Sequence, residues 1–184
     1  MLRFGLILAA IVFVADQVSK HLVLNVLGLY TDACFHQAGP CETRDLSPVF
    51  DLTMVWNRGI SFGLFRADND LARWGLVLAM LAIAGVFAWW LRSAERKITA
   101  VSLGLVIGGA LGNVIDRIRF GAVADFLDFS GLGFFPWVFN VADAAISVGA
   151  VLLAADMLLF TESEPGKGAA WDRIKARFSG PRSG

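Results

Sequence analysis

Hydrophobic positions fall into four long runs along this 184-residue chain. The first extends from Phe4 to Leu29 and is broken by Asp16, Gln17, Lys20, His21 and Asn25. The second runs from Trp74 to Leu91 and the third from Ile98 to Ile115. The fourth runs from Val138 to Phe160 and carries Asn140, Asp143 and Asp156. A helix needs about 20 apolar residues, at about 1.5 Å each, to cross a bilayer. The pattern therefore predicts four transmembrane helices. Met1-Leu2-Arg3 followed by Phe4 to Ala15 has the makings of a cleaved signal peptide. Apolar sequence resumes after Asp16 up to Leu29, however, and three more runs follow.

The connections carry different patterns. Between Tyr30 and Arg73, the stretch Pro48-Val-Phe-Asp-Leu-Thr-Met-Val-Trp56 partly alternates and predicts one or two strands. Asn57-Arg58-Gly59 is a turn signal. The connection from Asp116 to Trp137 holds Gly121, Gly131, Gly133 and Pro136. From Thr161 to Gly184 the chain is polar, with a short basic helix expected around Trp171 to Phe178. The domain reading is a four-span membrane domain over 1–160, with outer loops near 30–73 and 116–137, and a cytoplasmic tail over 161–184.

Composition agrees with a membrane protein. Hydrophobic residues make up 57%, charged residues 17%, and mean hydropathy is +0.64. A soluble domain runs nearer about 45–50% and about 25%. The 16 Lys and Arg cancel the 16 Asp and Glu, so no global basic field invites nucleic acid. Basic residues also set orientation, because cytoplasmic connections are enriched in them. With the N-terminus inside, Arg3, Arg92, Arg96, Lys97 and the tail cations lie inside. The longer outer pieces hold Arg44, Arg58, Arg66, Arg73, Arg117 and Arg119. The short Arg92–Lys97 loop decides, and both termini are expected in the cytoplasm. Trp74, Trp89, Trp90 and Trp137 sit at span ends, as interfacial anchors do. Cys34 and Cys41, the only cysteines, lie in the first outer loop, where a disulfide and two free thiols are both compatible with the sequence.

Ionisable residues inside a span cost about 2.5–3.5 kcal/mol each and ask for a reason. Asp16 lies about 18 Å and Lys20 about 24 Å along the outward first span. Asn113 and Asp116 end the outward third span, and Asn140 and Asp143 begin the inward fourth. Nearly all intramembrane polar groups thus share the outer half and point to one site there. Asp156, near the inner end, reads as interfacial. Asp16 and Lys20 are spaced i, i+4, as a self-neutralising pair or as one that also orders a loop or head group. Gly104, Gly108 and Gly112 form a small-residue stripe for close helix approach. Asn113, Asp116 and Arg117 can face one site, and Arg117 beside Asp116 suits a structural acid.

Asp125 and Asp143 differ from these. Both sit in apolar surroundings with no Lys or Arg within four residues. Two carboxylates close together in a low-dielectric site share a proton. That is the condition for aspartic-type hydrolysis, in which one acid activates water and the other protonates the leaving amine.

Five blocks then stand in order: Asp16-Gln-Val-Ser-Lys20, Asn57-Arg-Gly-Ile-Ser-Phe-Gly63, Gly108-Gly-Ala-Leu-Gly-Asn-Val-Ile-Asp-Arg117, Val123-Ala-Asp-Phe126 and Phe139-Asn-Val-Ala-Asp-Ala-Ala-Ile146. Together they resemble bacterial lipoprotein signal peptidase, signal peptidase II, over roughly residues 4 to 160. The resemblance implies an inner-membrane aspartic endopeptidase that cuts diacylglyceryl-modified prolipoproteins just before the lipidated cysteine. It places the catalytic pair at Asp125 and Asp143. It places substrate-binding or supporting roles at Asp16, Lys20, Asn57, Gly59, Gly108, Gly112, Asn113, Asp116, Arg117, Asn140 and Ala142. The implied fold is an α-helical membrane protein: a four-transmembrane-helix bundle with a small extracytoplasmic β-sheet and a helix-bearing outer loop. No metal or cofactor is implied, and the expected partners are prolipoproteins and membrane lipids, with the enzyme a monomer. Departures are Ile60 and Ser61 where alanines are usual, Ala124 in place of a common valine, and a longer first outer loop.

Two other function classes fit less well. A small proton-coupled transporter would use intramembrane Asp, Lys and Asn as a relay, but the polar groups stop at one side. A non-catalytic assembly factor would use the glycine stripe but leaves Asp125 and Asp143 without a role.

Overall fold

The computed structural model describes residues 1–36, 39–59 and 70–160. Ile60, Ser61 and the tail, with the short helix expected in it, lie outside the described residues. Among the described residues, four helices are long and apolar enough to cross a membrane: Leu2–Val26, Asp70–Leu91, Lys97–Phe120 and Val141–Leu159. The first is α1, Leu2–His21, continued by a wider π turn over Leu22–Val26. A short helix α2, Asp32–His36, follows in the first connection. The remaining spans are α3 (Asp70–Leu91), α4 (Lys97–Phe120) and α5 (Val141–Phe160).

Helix α4 is the centre of the bundle and packs on α1, α3 and α5. Its most apolar window is 72% buried, against 17–28% for the other three. Small residues make this possible. A Cβ at Gly104 would fall 2.7 Å from the Gly5 carbonyl oxygen, and one at Gly108 would fall 2.8 Å from Val12 Cβ. The stripe expected from the sequence therefore faces α1. Gly109 does the same against Ala142 and Ile146, and Gly149 against Ser102, closing α4 on α5. Gly108→Leu should consequently destabilise the protein by more than about 3 kcal/mol, because the opposing atoms include backbone that cannot move aside. Gly85→Leu, where no atom lies within 4 Å, should leave the melting temperature in detergent unchanged.

The first connection holds two strands, within the one or two expected there, and the second connection adds two more. Strands β1 (Thr43–Ser47), β2 (Phe50–Asn57), β3 (Val123–Asp128) and β4 (Val138–Phe139) form one antiparallel sheet in that order. β3 and β4 went unread because each is short and β3 is nearly all buried, so no alternation marks it. Gly121 ends α4 at φ 79°, a conformation favourable to glycine, and turns the chain directly into β3. A single 3₁₀ turn, Ser130–Leu132, joins β3 to the segment leading to β4. The sheet lies at one end of the bundle, with the polar residues Asp16, Lys20, Asn113, Asp116, Asn140 and Asp143 beside it.

Asp156, expected near the inner end of the last span, has its side chain enclosed by the protein. It is buried at the other end, where Thr99 Oγ1 donates to it at 2.5 Å and Arg96 pairs with it at 3.1 Å. The close approach of α4 and α5 at Gly149 brings these groups together and takes the carboxylate out of contact with the surroundings.

Candidate active site

Three polar layers meet where α1, α4, α5 and the sheet converge. The deepest is built on Lys20, which is 3% exposed. Its ammonium lies 2.8 Å from Asp16, 2.7 Å from Asp116 and 3.2 Å from the Asn113 side-chain oxygen. Three donors meet three acceptors, so the buried cation is fully satisfied. The expected Asp116–Arg117 pair does not form: successive residues on a helix point apart. Asp116 instead receives Lys20, the Ala124 amide at 3.2 Å and Gln17 at 3.3 Å.

Each member of this layer ties two elements together. The second oxygen of Asp16 accepts the Ala142 amide at 3.0 Å, placing a carboxylate at the N-terminus of α5, where it is favoured. Gly112 leaves room for the Asp16 carboxylate, and Ala142, fully buried, is small because it stands against Gly109. Gln17 bridges Asp16, Asp116 and the Gly112 carbonyl. The sequence reading passed over Gln17; its place beside Asp16 in a span was the available signal. Gly108 stands apart from this layer, as a packing contact of α1.

The second layer is made of asparagines. Asn140 caps α5: its side-chain oxygen accepts the Asp143 amide at 2.9 Å. Its amide donates to Asp125 at 2.6 Å and to the Asn113 oxygen at 3.3 Å. Asn113 donates to Asp143 at 2.7 Å, and Asn57 donates to Asp125 at 3.1 Å. The turn after β2 is held from two sides. The Gly59 amide donates to the Asn57 oxygen at 3.0 Å, and Arg117 donates to the Gly59 carbonyl at 2.7 Å. Arg73, which the sequence reading counted only as a loop charge, donates to the carbonyls of Arg117 and Ile118 and fixes that end of α4.

The third layer is the pair of acids. Asp125 comes from β3, whose pairing with β2 places it opposite Val55. Asp143 comes from the first turn of α5. Both line one cleft of about 420 Å³, together with Asn57 and the rings of Phe135, Trp137 and Phe139. The far wall is Ala144, Ser147 and Val148 on α5, and Val148 is exposed on the outer face of the bundle. Burial raises Asp125 well above the usual carboxylate range, and the charge of Asp143 pushes it further. The Asn57 and Asn140 hydrogen bonds pull the other way without reversing the shift. Deep support, asparagine bridge and acids thus form one continuous network around all the expected residues except Gly108.

Cys34 and Cys41 are joined in a disulfide, with Cα atoms 5.4 Å apart. It lies behind the sheet, away from the acids.

Comparison with known proteins agrees with this architecture. The sequence model of signal peptidase (SPase) II matches residues 8–159. A lipoprotein signal peptidase of Caulobacter vibrioides is 45% identical over 159 residues, covering 85% of this chain and 88% of that protein. One from Sphingopyxis alaskensis is 42% identical over 162 residues, covering 88% of each. A solved bacterial membrane enzyme superposes with a TM-score of 0.72 at 22% identity, over 88% of this chain and 92% of that one. Four apolar helices, a small antiparallel sheet and a sequence match over most of its length make this chain a peptidase of the signal peptidase II family.

Proposed function

We propose that the protein removes signal peptides from diacylglyceryl-modified prolipoproteins, cutting just before the lipidated cysteine by an intramembrane aspartic mechanism. The observation that carries this reading is the convergence of Asp125 and Asp143 on one apolar-walled cleft, each carboxylate held by an asparagine amide. The ionised acid takes a proton from water as the water oxygen attacks the scissile carbonyl carbon. The protonated acid gives its proton to the carbonyl oxygen. As the diol collapses, one of its hydroxyls returns a proton to the second acid, the C–N bond breaks, and the leaving amine takes up the proton gained from water. Asn57, Asn113, Asn140 and, through Gly59, Arg117 hold the acids in place. Lys20, Asp16, Asp116 and Ala142 lock α1, α4 and α5 together, and Asp116 also holds β3 through the Ala124 amide.

The substrate class follows from the names of the similar proteins and suits the cleft. Its wall on α5 is open to the outer face of the bundle, so acyl chains can remain in lipid while the peptide enters. Lipid contact contributes about 0.8 kcal/mol per buried CH₂. A precursor with an unmodified cysteine should be cut far more slowly than its diacylglyceryl form in the same detergent. Equal rates would identify a general intramembrane peptidase instead.

We place the protein in the bacterial inner membrane with both termini cytoplasmic and the sheet and acids at the periplasmic face. Residues 1–160 are the proposed peptidase domain, acting as a monomer. The cations of the Arg92–Lys97 connection, opposite the sheet, support this orientation. After reduction, a membrane-impermeant thiol reagent should label Cys41, which is half-buried, in intact spheroplasts, more readily than Cys34, which is 2% exposed. Labelling that requires lysis would reverse the topology.

A further inference from the structure

Strand β2 has a front and a back. On the front, Val55 pairs with Asp125 and Asn57 donates to it. On the back, the alternate residues Met54 and Trp56, with Arg58 just past the strand end, are gripped by the two ends of the disulfide link. Met54 exchanges backbone hydrogen bonds with the Cys41–Glu42 segment, at 3.1 and 2.7 Å. The Trp56 ring packs edge-on against Phe35 with centroids 5.0 Å apart. The Arg58 guanidinium lies 5.0 Å over the same Phe35 ring and donates to the Phe35 carbonyl at 2.7 Å. Phe35 adjoins Cys34 in α2, a five-residue helix. A helix that short has no stability of its own, so its position depends on what pins it.

Arg58 also occupies a special place in the chain. The residue before it holds Asp125, and the residue after it is held by Arg117. We propose that Arg58 and the Cys34–Cys41 disulfide form a clamp that positions Asn57 against Asp125, making Arg58 a positioning residue for the cleavage reaction. The inference rests on the hydrolytic reading above. Nothing in the clamp touches the cleft, so its loss should alter the alignment of the acids and leave substrate binding largely intact. Asn57 favours the ionised form of Asp125, so its displacement should also move the pH profile upward. The other groups that act on Asp125 remain in place: Asp143 and Asn140 from the α5 side, Lys20 from α1 and Arg117 from α4.

The test uses the purified full chain in detergent with a diacylglyceryl-modified precursor. Rates and pH profiles are measured for the oxidised protein, for the same sample reduced with dithiothreitol, after reoxidation, and for Arg58→Ala and Arg58→Lys. Reduction and Arg58→Ala should each lower kcat by about tenfold or more, with KM nearly unchanged and the pH optimum displaced upward. Reoxidation should restore the starting values, and Arg58→Lys should recover part of the loss, since Lys keeps a donor but not the planar stack. Unchanged kcat and pH profile in protein shown by mass to be reduced would overturn the clamp. So would a fall in kcat with an unmoved pH profile, which is what general loosening would give. If Arg58→Ala does not fold, reduction of the folded protein supplies the same comparison. Failure of the oxidised protein to cut at all would instead refute the hydrolytic reading and the clamp with it.

Discussion

Asp125→Asn and Asp143→Asn should each abolish cleavage while the protein still folds. An amide matches the carboxyl in shape but cannot take a proton from water or return one to the leaving amine. Positioned acid–base groups contribute about 10² to 10⁴ in rate, and removing either member disables both proton transfers. Folding should survive because the substitution removes a charge from a buried place instead of adding one, and because the helices are locked by the separate layer around Lys20. The wild-type pH profile should be bell-shaped. The mechanism needs one acid and one base at the same time, so it fails at either extreme of pH. Burial of Asp125 places the alkaline limb well above the range of an ordinary carboxylate. Near-wild-type turnover in either variant would remove that residue from the mechanism. Activity retained in Asp125→Asn but lost in a well-folded Asp116→Asn would make Asp116 the partner of Asp143.

Lys20→Met should be the most destabilising substitution in the polar network. It leaves Asp16 and Asp116, both nearly fully buried, without their shared cation. Removing one partner from a buried charged cluster costs about 3–5 kcal/mol, because the remaining charges cannot be rehydrated. For a chain of this size that corresponds to a fall of about 10 °C or more in melting temperature. Adding Asp16→Asn and Asp116→Asn to Lys20→Met should recover much of the loss, since no uncompensated charge then remains. Asp116→Asn alone should lower stability by less, because Gln17 and the Ala124 amide still find an acceptor there. A Lys20→Met protein that melts with the wild type would mean the cluster is hydrated in solution.

The four spans were legible because a membrane helix is a matter of length and apolarity, both of which a sequence displays directly. So was the gathering of polar residues at one end, since rise per residue converts position into depth. The Asp16–Lys20 pair showed its spacing but not its reach: that Lys20 also meets Asp116 depends on α1 crossing α4 at the glycine stripe. The Asp116–Arg117 pairing failed for the complementary reason, as adjacency along a helix is not adjacency in space. β3 was missed although it carries Asp125, because a short strand buried on both faces shows no alternation. Its pairing with β2 is long-range and has no local mark. Asn140 carried a readable signal, a polar residue three before an acid at the start of an apolar run, which is how a helix N-cap looks. Arg58 and Arg73 looked like ordinary loop charges; only the fold shows that each ends on a backbone carbonyl.

The most direct test of the central claim is mass spectrometry of a diacylglyceryl-modified precursor incubated with the purified protein. The expected result is two products divided immediately before the modified cysteine, with the lipid on the C-terminal fragment, and intact precursor when Asp143→Asn is used. An intact precursor with the wild-type protein, a cut at another bond, or the same products from Asp143→Asn would contradict the assignment.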